Sequence, residues 1–194
     1  MSVDPRLYTF LKTTALLMVA LFVGWSLWDS FLKPGTPGDA AWHSGNNLFE
    51  DGRYERALAG YAEALAQNPA HIHALRGYAR ALAQLGRHQK ALAAFNEAIA
   101  REPGFAFTYA NRGILRDRMG EHRAALADYE KALELNPETG KGPNWLTRFL
   151  RLQTEKPSGI ADRARYLRAE LAKPEGQRIL RLPALDEQQR SYKQ

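Results

Sequence analysis

Apolar and small residues recur along the middle of the chain at an interval of 34 residues. Five positions keep this register through three copies: a glycine, an alanine, an aromatic residue, a second alanine and a proline. The five sets are Gly52, Gly86 and Gly120; Ala57, Ala91 and Ala125; Tyr61, Phe95 and Tyr129; Ala64, Ala98 and Ala132; and Pro69, Pro103 and Pro137. This pattern predicts three helix pairs, each of which buries its apolar face only by stacking on its neighbours.

Glycine and proline mark the ends of the predicted helices. Gly52 lies between helix-favouring residues, and a residue without Cβ suits the turn that reverses one helix into the next. Pro69 closes the second helix, because proline neither donates to a helical ladder nor continues it. We therefore expect the repeats at residues 40–138, preceded by a linker at residues 34–39.

These offsets resemble the tetratricopeptide repeat family, whose 34-residue unit carries small, aromatic, small and proline positions in this order. The first helices match less well, since Gly45 and Gly113 fit the family's small position but Ala79 replaces glycine in the middle copy. The resemblance implies an all-α fold, an α-solenoid that binds other proteins and is not an enzyme.

A degenerate fourth repeat is predicted at residues 139–174. Tyr166, Ala169 and Pro174 reproduce the spacing of the third copy after a three-residue insertion. The apolar residues expected on its first helix are Trp145, Phe149 and Leu152, and those on its second are Ile160, Ala164, Leu167 and Leu171. Ser158 is the expected N-cap of that second helix. We interpret the segment as capping helices, with a partner-specific domain as the alternative.

Residues 1–33 predict an N-terminal transmembrane helix. The stretch from Thr13 to Trp28 carries no charge, and about 20 helical residues are needed to cross the hydrocarbon core. Trp25 and Trp28 suit the membrane interface. An uncleaved anchor is our interpretation, because bulky residues end the apolar run where a signal peptidase requires small ones. A cleaved signal peptide and a buried helix of a soluble protein are the alternatives.

The charges that flank this segment predict its orientation. Arg6 and Lys12 precede the span and Lys33 follows it, which favours a cytoplasmic N-terminus and periplasmic repeats. We expect a bacterial inner membrane. The chain has no cysteine, so disulfides and thiolate chemistry are excluded.

Excess positive charge is confined to the C-terminal part of the chain. Residues 40–138 carry twelve basic and twelve acidic side chains, whereas residues 139–194 carry twelve basic and six acidic ones, including a basic tail at residues 175–194. The arginines predicted to meet an anionic partner are Arg163, Arg165, Arg168, Arg178 and Arg181. The alternative is a solvated face with local ion pairs to Asp162 and Glu170. No nucleic-acid recognition motif is present, so no nucleic acid is expected.

No constellation of catalytic residues emerges from the sequence, and no cofactor is expected. Gly140, Lys141 and Gly142 lack the spacing of a phosphate loop. His71 and His73 have no carboxylate or cysteine cluster beside them, so a metal site is not expected. A repeat supplies like groups at intervals, whereas catalysis needs unlike groups that converge.

The family resemblance implies a peptide-binding groove lined by the first helices. The residues that it places there are Trp42, Asn46, Phe49, His73, Arg76, Arg80, Phe107, Asn111 and Ile114. Some family members grip a terminal carboxylate with a lysine and two asparagines. Here Asn46 matches the first asparagine, but Trp42 replaces the lysine and Gly77 the second asparagine, which argues against that function. A shifted arrangement of Arg76, Arg80 and Asn111 is predicted to hold an acidic segment.

The sequence therefore predicts a membrane-tethered scaffold or adaptor that binds a protein or peptide partner, with a role in envelope assembly or secretion. The alternative is a fixed accessory subunit of a larger membrane complex.

Overall fold

The computed structural model describes residues 4–28, 36–141 and 159–181, and every regular element within them is helical. The chain divides into two units, Met1–Thr36 and Pro37–Gln194. The all-α prediction is confirmed for the described residues.

The first unit contains one long helix, α1 (Pro5–Leu27). The Asp4 carboxylate accepts a hydrogen bond from the backbone N–H of Arg6, and Pro5 occupies the first helical position, where its missing N–H costs nothing. No residue of α1 is buried. With 23 residues, most of them apolar, α1 is long and apolar enough to cross a membrane, a property that signal sequences share.

The second unit contains three helix pairs and a further helix. These helices are α2 (Asp39–Glu50), α3 (Tyr54–Gln67), α4 (Ile72–Gln84), α5 (His88–Arg101), α6 (Ala106–Arg118), α7 (His122–Leu135) and α8 (Ile160–Leu171). Short 3₁₀ helices occupy Pro137–Gly140 and Glu175–Gln177. The pairs α2–α3, α4–α5 and α6–α7 pack tightly and follow one another along the array.

The turn between the helices of each pair depends on a glycine. Gly52, Gly86 and Gly120 adopt φ values of +74°, +70° and +81°, in the left-handed region that residues with a Cβ rarely adopt. The 34-residue repeat in the sequence therefore corresponds to one glycine turn in each helix pair of the structure.

A buried aromatic residue joins each pair to the next helix. Tyr61 of α3 is fully buried, and a Cβ on Gly45 of α2 would lie 2.9 Å from its ring. A Cβ on Gly77 of α4 would overlap the same ring. The small positions therefore let two first helices approach one aromatic side chain.

The core has two main parts. The first two pairs share a cluster that includes Tyr61, Leu82 and Phe95. The third pair forms a second cluster around Tyr129, and α8 adds Leu167 to it.

Helix α8 closes the described array on the side of α7. Of its predicted apolar face, Ile160, Ala164 and Leu167 are buried, and Leu171 is partly buried. Gly159 is the N-cap residue, and its N–H donates to the Asp162 carboxylate. The predicted N-cap Ser158 and the predicted first-helix residues Trp145, Phe149 and Leu152 lie outside the described residues.

Candidate protein-binding groove

The first helices of the three pairs form a common surface. Helix α4 contacts both α2 and α6, so side chains from all three helices adjoin. We call this surface the inner groove. The predicted groove residues that are at least partly exposed on it are Trp42, Asn46, Phe49, His73 and Phe107.

An aromatic cluster lies at the start of the groove. The ring centroid of Trp42 lies 4.4 Å from that of His43, 5.6 Å from that of His71 and 5.4 Å from that of His73. His43 and His73 are exposed, Trp42 is half-buried and His71 is buried. Trp42 is therefore held in place by three imidazoles and still presents part of its ring to solvent.

His71 fixes this cluster to the backbone. Its Nδ1 accepts a hydrogen bond from the N–H of Ala74 at 3.2 Å, capping α4, so the ring proton is on Nε2. Nε2 lies 3.0 Å from the Asp39 carboxylate and donates to it. Burial, and then the charge of Arg76, lower the pKa of His73.

Arg76 is buried beneath a second group of aromatic residues. Only 1% of Arg76 is exposed, its guanidinium lies 3.8 Å from the ring centroid of Phe105, and it forms an ion pair with Glu102. The Phe107 ring centroid lies 5.6 Å from that of Phe105. The positive charge of Arg76 thus has a partner within the protein.

Arg80 is buried in the same manner one turn along α4. Its guanidinium lies 4.8 Å from the ring centroid of Phe49 and next to the Tyr61 hydroxyl. The Tyr61 hydroxyl donates to the Asn46 side-chain oxygen at 2.8 Å. Burial lowers the pKa of Arg80, and the Tyr61 hydroxyl and the charge of Glu50 oppose this shift.

The structure thus alters the predicted character of the groove. Arg76, Arg80, Asn111 and Ile114 are each no more than 5% exposed. Arg76 and Arg80, which were predicted to hold an acidic segment, instead lie between adjacent first helices, where their long side chains bury their stems and find internal partners. The exposed part of the groove is aromatic.

Arg163, predicted to belong to an exposed basic patch, is also buried. Its Nε and Nη2 donate to the two carboxylate oxygens of Asp117 at 2.7 Å and 2.9 Å. Asp117 also contacts His122 Nδ1 at 2.9 Å and accepts from the Tyr129 hydroxyl at 3.2 Å. Burial raises the pKa of Asp117, but the hydrogen bonds and charges of Arg163 and His122 outweigh it and lower that pKa. This cluster attaches α8 to α6 and α7.

Two other arginines of α8 are exposed and paired. Arg165 lies 3.3 Å from the Asp162 carboxylate, as the local-pairing alternative expects, and Arg168 lies 2.7 Å from that of Glu130 on α7. Both pairs are largely open to solvent, where ion pairs contribute little to stability.

The segment after α8 folds back along it. Glu170, expected to pair with an arginine, instead accepts from the N–H of Ile179 at 2.8 Å and from Lys173. The Tyr166 hydroxyl donates to the carbonyl of Ile179, and Arg163 donates to that of Leu180 at 2.9 Å. Three side chains on one face of α8 therefore fix the backbone of this segment. The two remaining patch residues lie within it, Arg178 partly buried and Arg181 exposed.

Three residues of the groove were not predicted from the sequence. His43 adjoins Trp42, Phe105 immediately precedes α6, and Glu102 pairs with Arg76 from the loop between α5 and α6. The sequence signal for Phe105 is its position two residues before Phe107. Across residues 4–28, 36–141 and 159–181, no group of three histidine, cysteine or acidic residues can hold a metal ion.

A second hollow has a volume of about 570 Å³ and is lined by residues of α3, α4 and α5, including Leu65, Tyr78 and Lys90. None of its lining residues is a predicted groove residue, so it provides a control surface for binding experiments.

Stacked helix pairs with a groove on the first helices define an α-solenoid. Family models of the tetratricopeptide repeat match residues 48–109 and residues 106–139. Residues 48–139 of the chain therefore match tetratricopeptide repeats. No curated protein matches the chain.

Solved structures of this family are similar to the chain. The first such domain of Spaghetti (RPAP3), bound to the HSP90 peptide SRMEEVD, is 23% identical over 71% of this chain and 94% of that chain, with a TM-score of 0.56. The Sgt2 domain from Aspergillus fumigatus is 23% identical over 73% and 87%, with a TM-score of 0.53. The first domain of human RPAP3 is 26% identical over 60% and 89%, with a TM-score of 0.50.

Proposed function

We propose that this protein is a scaffold that holds a segment of another protein in the inner groove and is tethered to a membrane by α1. The observation that carries the proposal is the set of aromatic side chains left partly exposed on the first helices, among them Trp42, Phe49 and Phe107. The peptide bound to the Spaghetti domain supports the same use of the fold here. Aromatic side chains contribute much binding energy when a partner covers them.

The tether is supported by the exposure of α1. Leu21, Phe22 and Trp25 are between 64% and 72% exposed, and no residue of the helix is buried. Apolar side chains exposed along a whole helix are unfavourable in water, at roughly 1.5–3 kcal/mol for each large one. Insertion into a bilayer removes this cost. The scaffold would then hold its partner at the membrane.

We further propose that the membrane is a bacterial inner membrane, with the N-terminus cytoplasmic, the repeats periplasmic and the partner engaged in envelope assembly or secretion. The bias of Arg6 and Lys12 over Lys33 supports this orientation. Protease treatment of intact cells and of spheroplasts tests it. We expect digestion of the repeats in spheroplasts, and digestion only after the inner membrane is opened would contradict the orientation.

Photo-crosslinking tests the groove itself. A photoreactive amino acid is placed at Trp42 or Phe107 in the full chain, and at Tyr78 in the second hollow as a matched control. We expect a discrete partner segment to be captured from the first two positions and not from Tyr78. Equal capture at all three positions would contradict a groove-specific function.

Native mass measurement after detergent extraction distinguishes a scaffold from a fixed subunit. A lone chain with substoichiometric partners is expected for a scaffold. A stoichiometric complex would favour the fixed accessory subunit.

A further inference from the structure

Arg76 is a buried arginine whose acidic partner lies at the surface. Only 1% of the Arg76 side chain is exposed, and its guanidinium lies 3.8 Å from the ring centroid of Phe105. The Glu102 side chain, which pairs with it, is 48% exposed. The carboxylate of this ion pair is therefore open to solvent, although the guanidinium is not.

Glu102 satisfies only one of the two donors on the edge of the guanidinium that it contacts. Covalent geometry places the Nε–H and one N–H of Nη2 side by side on that edge, and a single carboxylate can accept from both. Arg76 donates from Nη2 to Glu102, but its buried Nε has no acceptor among the residues that the structure describes. The edge can therefore form one more hydrogen bond than Glu102 makes with it.

Two arginines that stabilise the fold form both bonds. Arg163 donates from Nε and Nη2 to Asp117 at 2.7 Å and 2.9 Å. Arg112 donates from the same two atoms to Asp128 at 2.9 Å and 2.6 Å. Both acceptor side chains are at most 4% exposed. Arg76 differs from them, because its acceptor is exposed and leaves one donor unsatisfied.

The position of Glu102 has a local role in the other two copies of the repeat. The equivalent residues are Asn68 and Asn136. Their side chains accept hydrogen bonds from the backbone N–H groups of Ala70 and Glu138, at 3.0 Å in each case, and so stabilise their own loops. The longer side chain of Glu102 instead contacts the buried arginine of α4. The middle copy therefore carries a carboxylate at the groove that its neighbours lack.

We propose that the Nε and Nη2 edge of Arg76 binds a carboxylate of the partner segment, and that Glu102 occupies this site until the partner replaces it. This inference rests on the proposed function and specifies the chemistry of the partner. The site differs from the lysine and asparagine site of some tetratricopeptide repeat proteins, whose positions hold Trp42 and Gly77 here.

Exchange of one carboxylate for the other is favoured by the unmade hydrogen bond. A partner carboxylate that accepts from both donors gains the bond to Nε, while the displaced Glu102 side chain is hydrated. Burial and the ring of Phe105 fix the guanidinium before the partner arrives, so little freedom is lost on binding. The carboxylate can belong to an aspartate or glutamate side chain or to a chain terminus.

Removal of the charge of Glu102 tests the inference on the full chain in detergent micelles. The probes are labelled SRMEEVD with a free C-terminus, the same peptide with an amidated C-terminus, and an amidated neutral counterpart, SRMQQVN. Fluorescence anisotropy gives each dissociation constant. Glu102→Gln should tighten the binding of SRMEEVD about tenfold, because a neutral amide competes for a guanidinium more weakly than a carboxylate does. Binding of SRMQQVN should not tighten. A gain that amidation abolishes assigns the site to a terminal carboxylate, and a gain that persists assigns it to a side chain.

Two further variants separate this site from a general effect of charge. Glu55→Gln removes a carboxylate that pairs with Arg87 between two second helices, and it should change the affinity less than about twofold. Arg76→Lys keeps the charge but cannot donate two parallel hydrogen bonds, so combining it with Glu102→Gln should abolish the gain. Circular dichroism verifies that each variant keeps its helicity.

Four results would overturn the inference. These are no binding of SRMEEVD, equal binding of SRMEEVD by the unmodified chain and by Glu102→Gln, an equal gain for SRMQQVN or in Glu55→Gln, and a full gain in the Arg76→Lys double variant. If crosslinking from Trp42 or Phe107 captures a partner segment while Glu102→Gln gives no gain, the proposed scaffold function stands and the carboxylate site fails.

Discussion

Replacing Arg163 with methionine removes the charge that attaches α8 to the third helix pair. Both carboxylate oxygens of Asp117 accept from Arg163, and the two side chains are 2% and 3% exposed. Loss of one partner from a buried ion pair costs about 3–5 kcal/mol, because the other charge stays buried. Methionine keeps most of the volume, so little of this cost arises from a cavity.

The loss of this stabilising free energy should make α8 open locally more often. In a stacked array each unit contacts only its neighbours, so a terminal helix can open without unfolding the rest. A loss of about 3 kcal/mol corresponds to about 100-fold faster hydrogen exchange, at about 1.4 kcal/mol for each factor of ten. Exchange of the Ala164 and Leu167 amides, measured on the full chain in detergent micelles, reports this opening.

Arg165→Met is the matched control. It removes an arginine from the same helix, but Arg165 is 76% exposed and its pair with Asp162 is worth at most about 1 kcal/mol. Exchange in α8 should change less than tenfold. If Arg163→Met accelerates exchange no more than Arg165→Met does, the ion pair of Asp117 and Arg163 does not attach α8 to the third helix pair.

The same ion pair makes the stability of α8 depend on pH. The pKa of Asp117 is lower in the folded protein than its ordinary value of 3.8. A lowered pKa means that the contribution of the carboxylate to stability is complete above the ordinary value and is lost as the pH falls towards the folded pKa. Protection of α8 should therefore decrease below about pH 4. A decrease of the same size in Asp117→Asn would show that other carboxyl groups are responsible.

Two further predictions concern packing. Gly77→Ala should destabilise the array by about 1–3 kcal/mol in urea unfolding, because its Cβ would overlap the ring of Tyr61. Gly104→Ala, whose Cβ would meet nothing within 4 Å, is the control, and equal effects would contradict the close packing. Glu170→Gln should accelerate exchange of the Ile179 amide by about tenfold, as expected when a charged hydrogen bond is lost. Unchanged exchange would show that Glu170 does not hold the segment.

The helix pairs were predictable because their determinants are local and repeated. Gly52 and its two equivalents need a left-handed turn in every copy, and Tyr61 and its equivalents fill the same space. Each determinant therefore occurs three times in the sequence, at one interval.

The charged groups were not predictable in this way. Arg76 pairs with Glu102, but the equivalent loop position holds Asn68 in the first copy and Asn136 in the third, so the period does not predict the pair. Arg163 and Asp117 form a hydrogen bond although they are 46 residues apart in sequence. The predicted insertion that breaks the repeat register lies between them. Helical spacing alone indicates that Arg76 shares a face with Arg80, but not that a loop covers it.

Hydrogen exchange of the full chain, with its crosslink-identified segment bound, tests whether the first helices hold the partner. We expect slower exchange in the first helices, at Asp39–Glu50, Ile72–Gln84 and Ala106–Arg118, because the ligand covers the inner groove. We expect little change in the second helices, at Tyr54–Gln67, His88–Arg101 and His122–Leu135. Protection confined to the second helices would show that the partner does not bind in the inner groove.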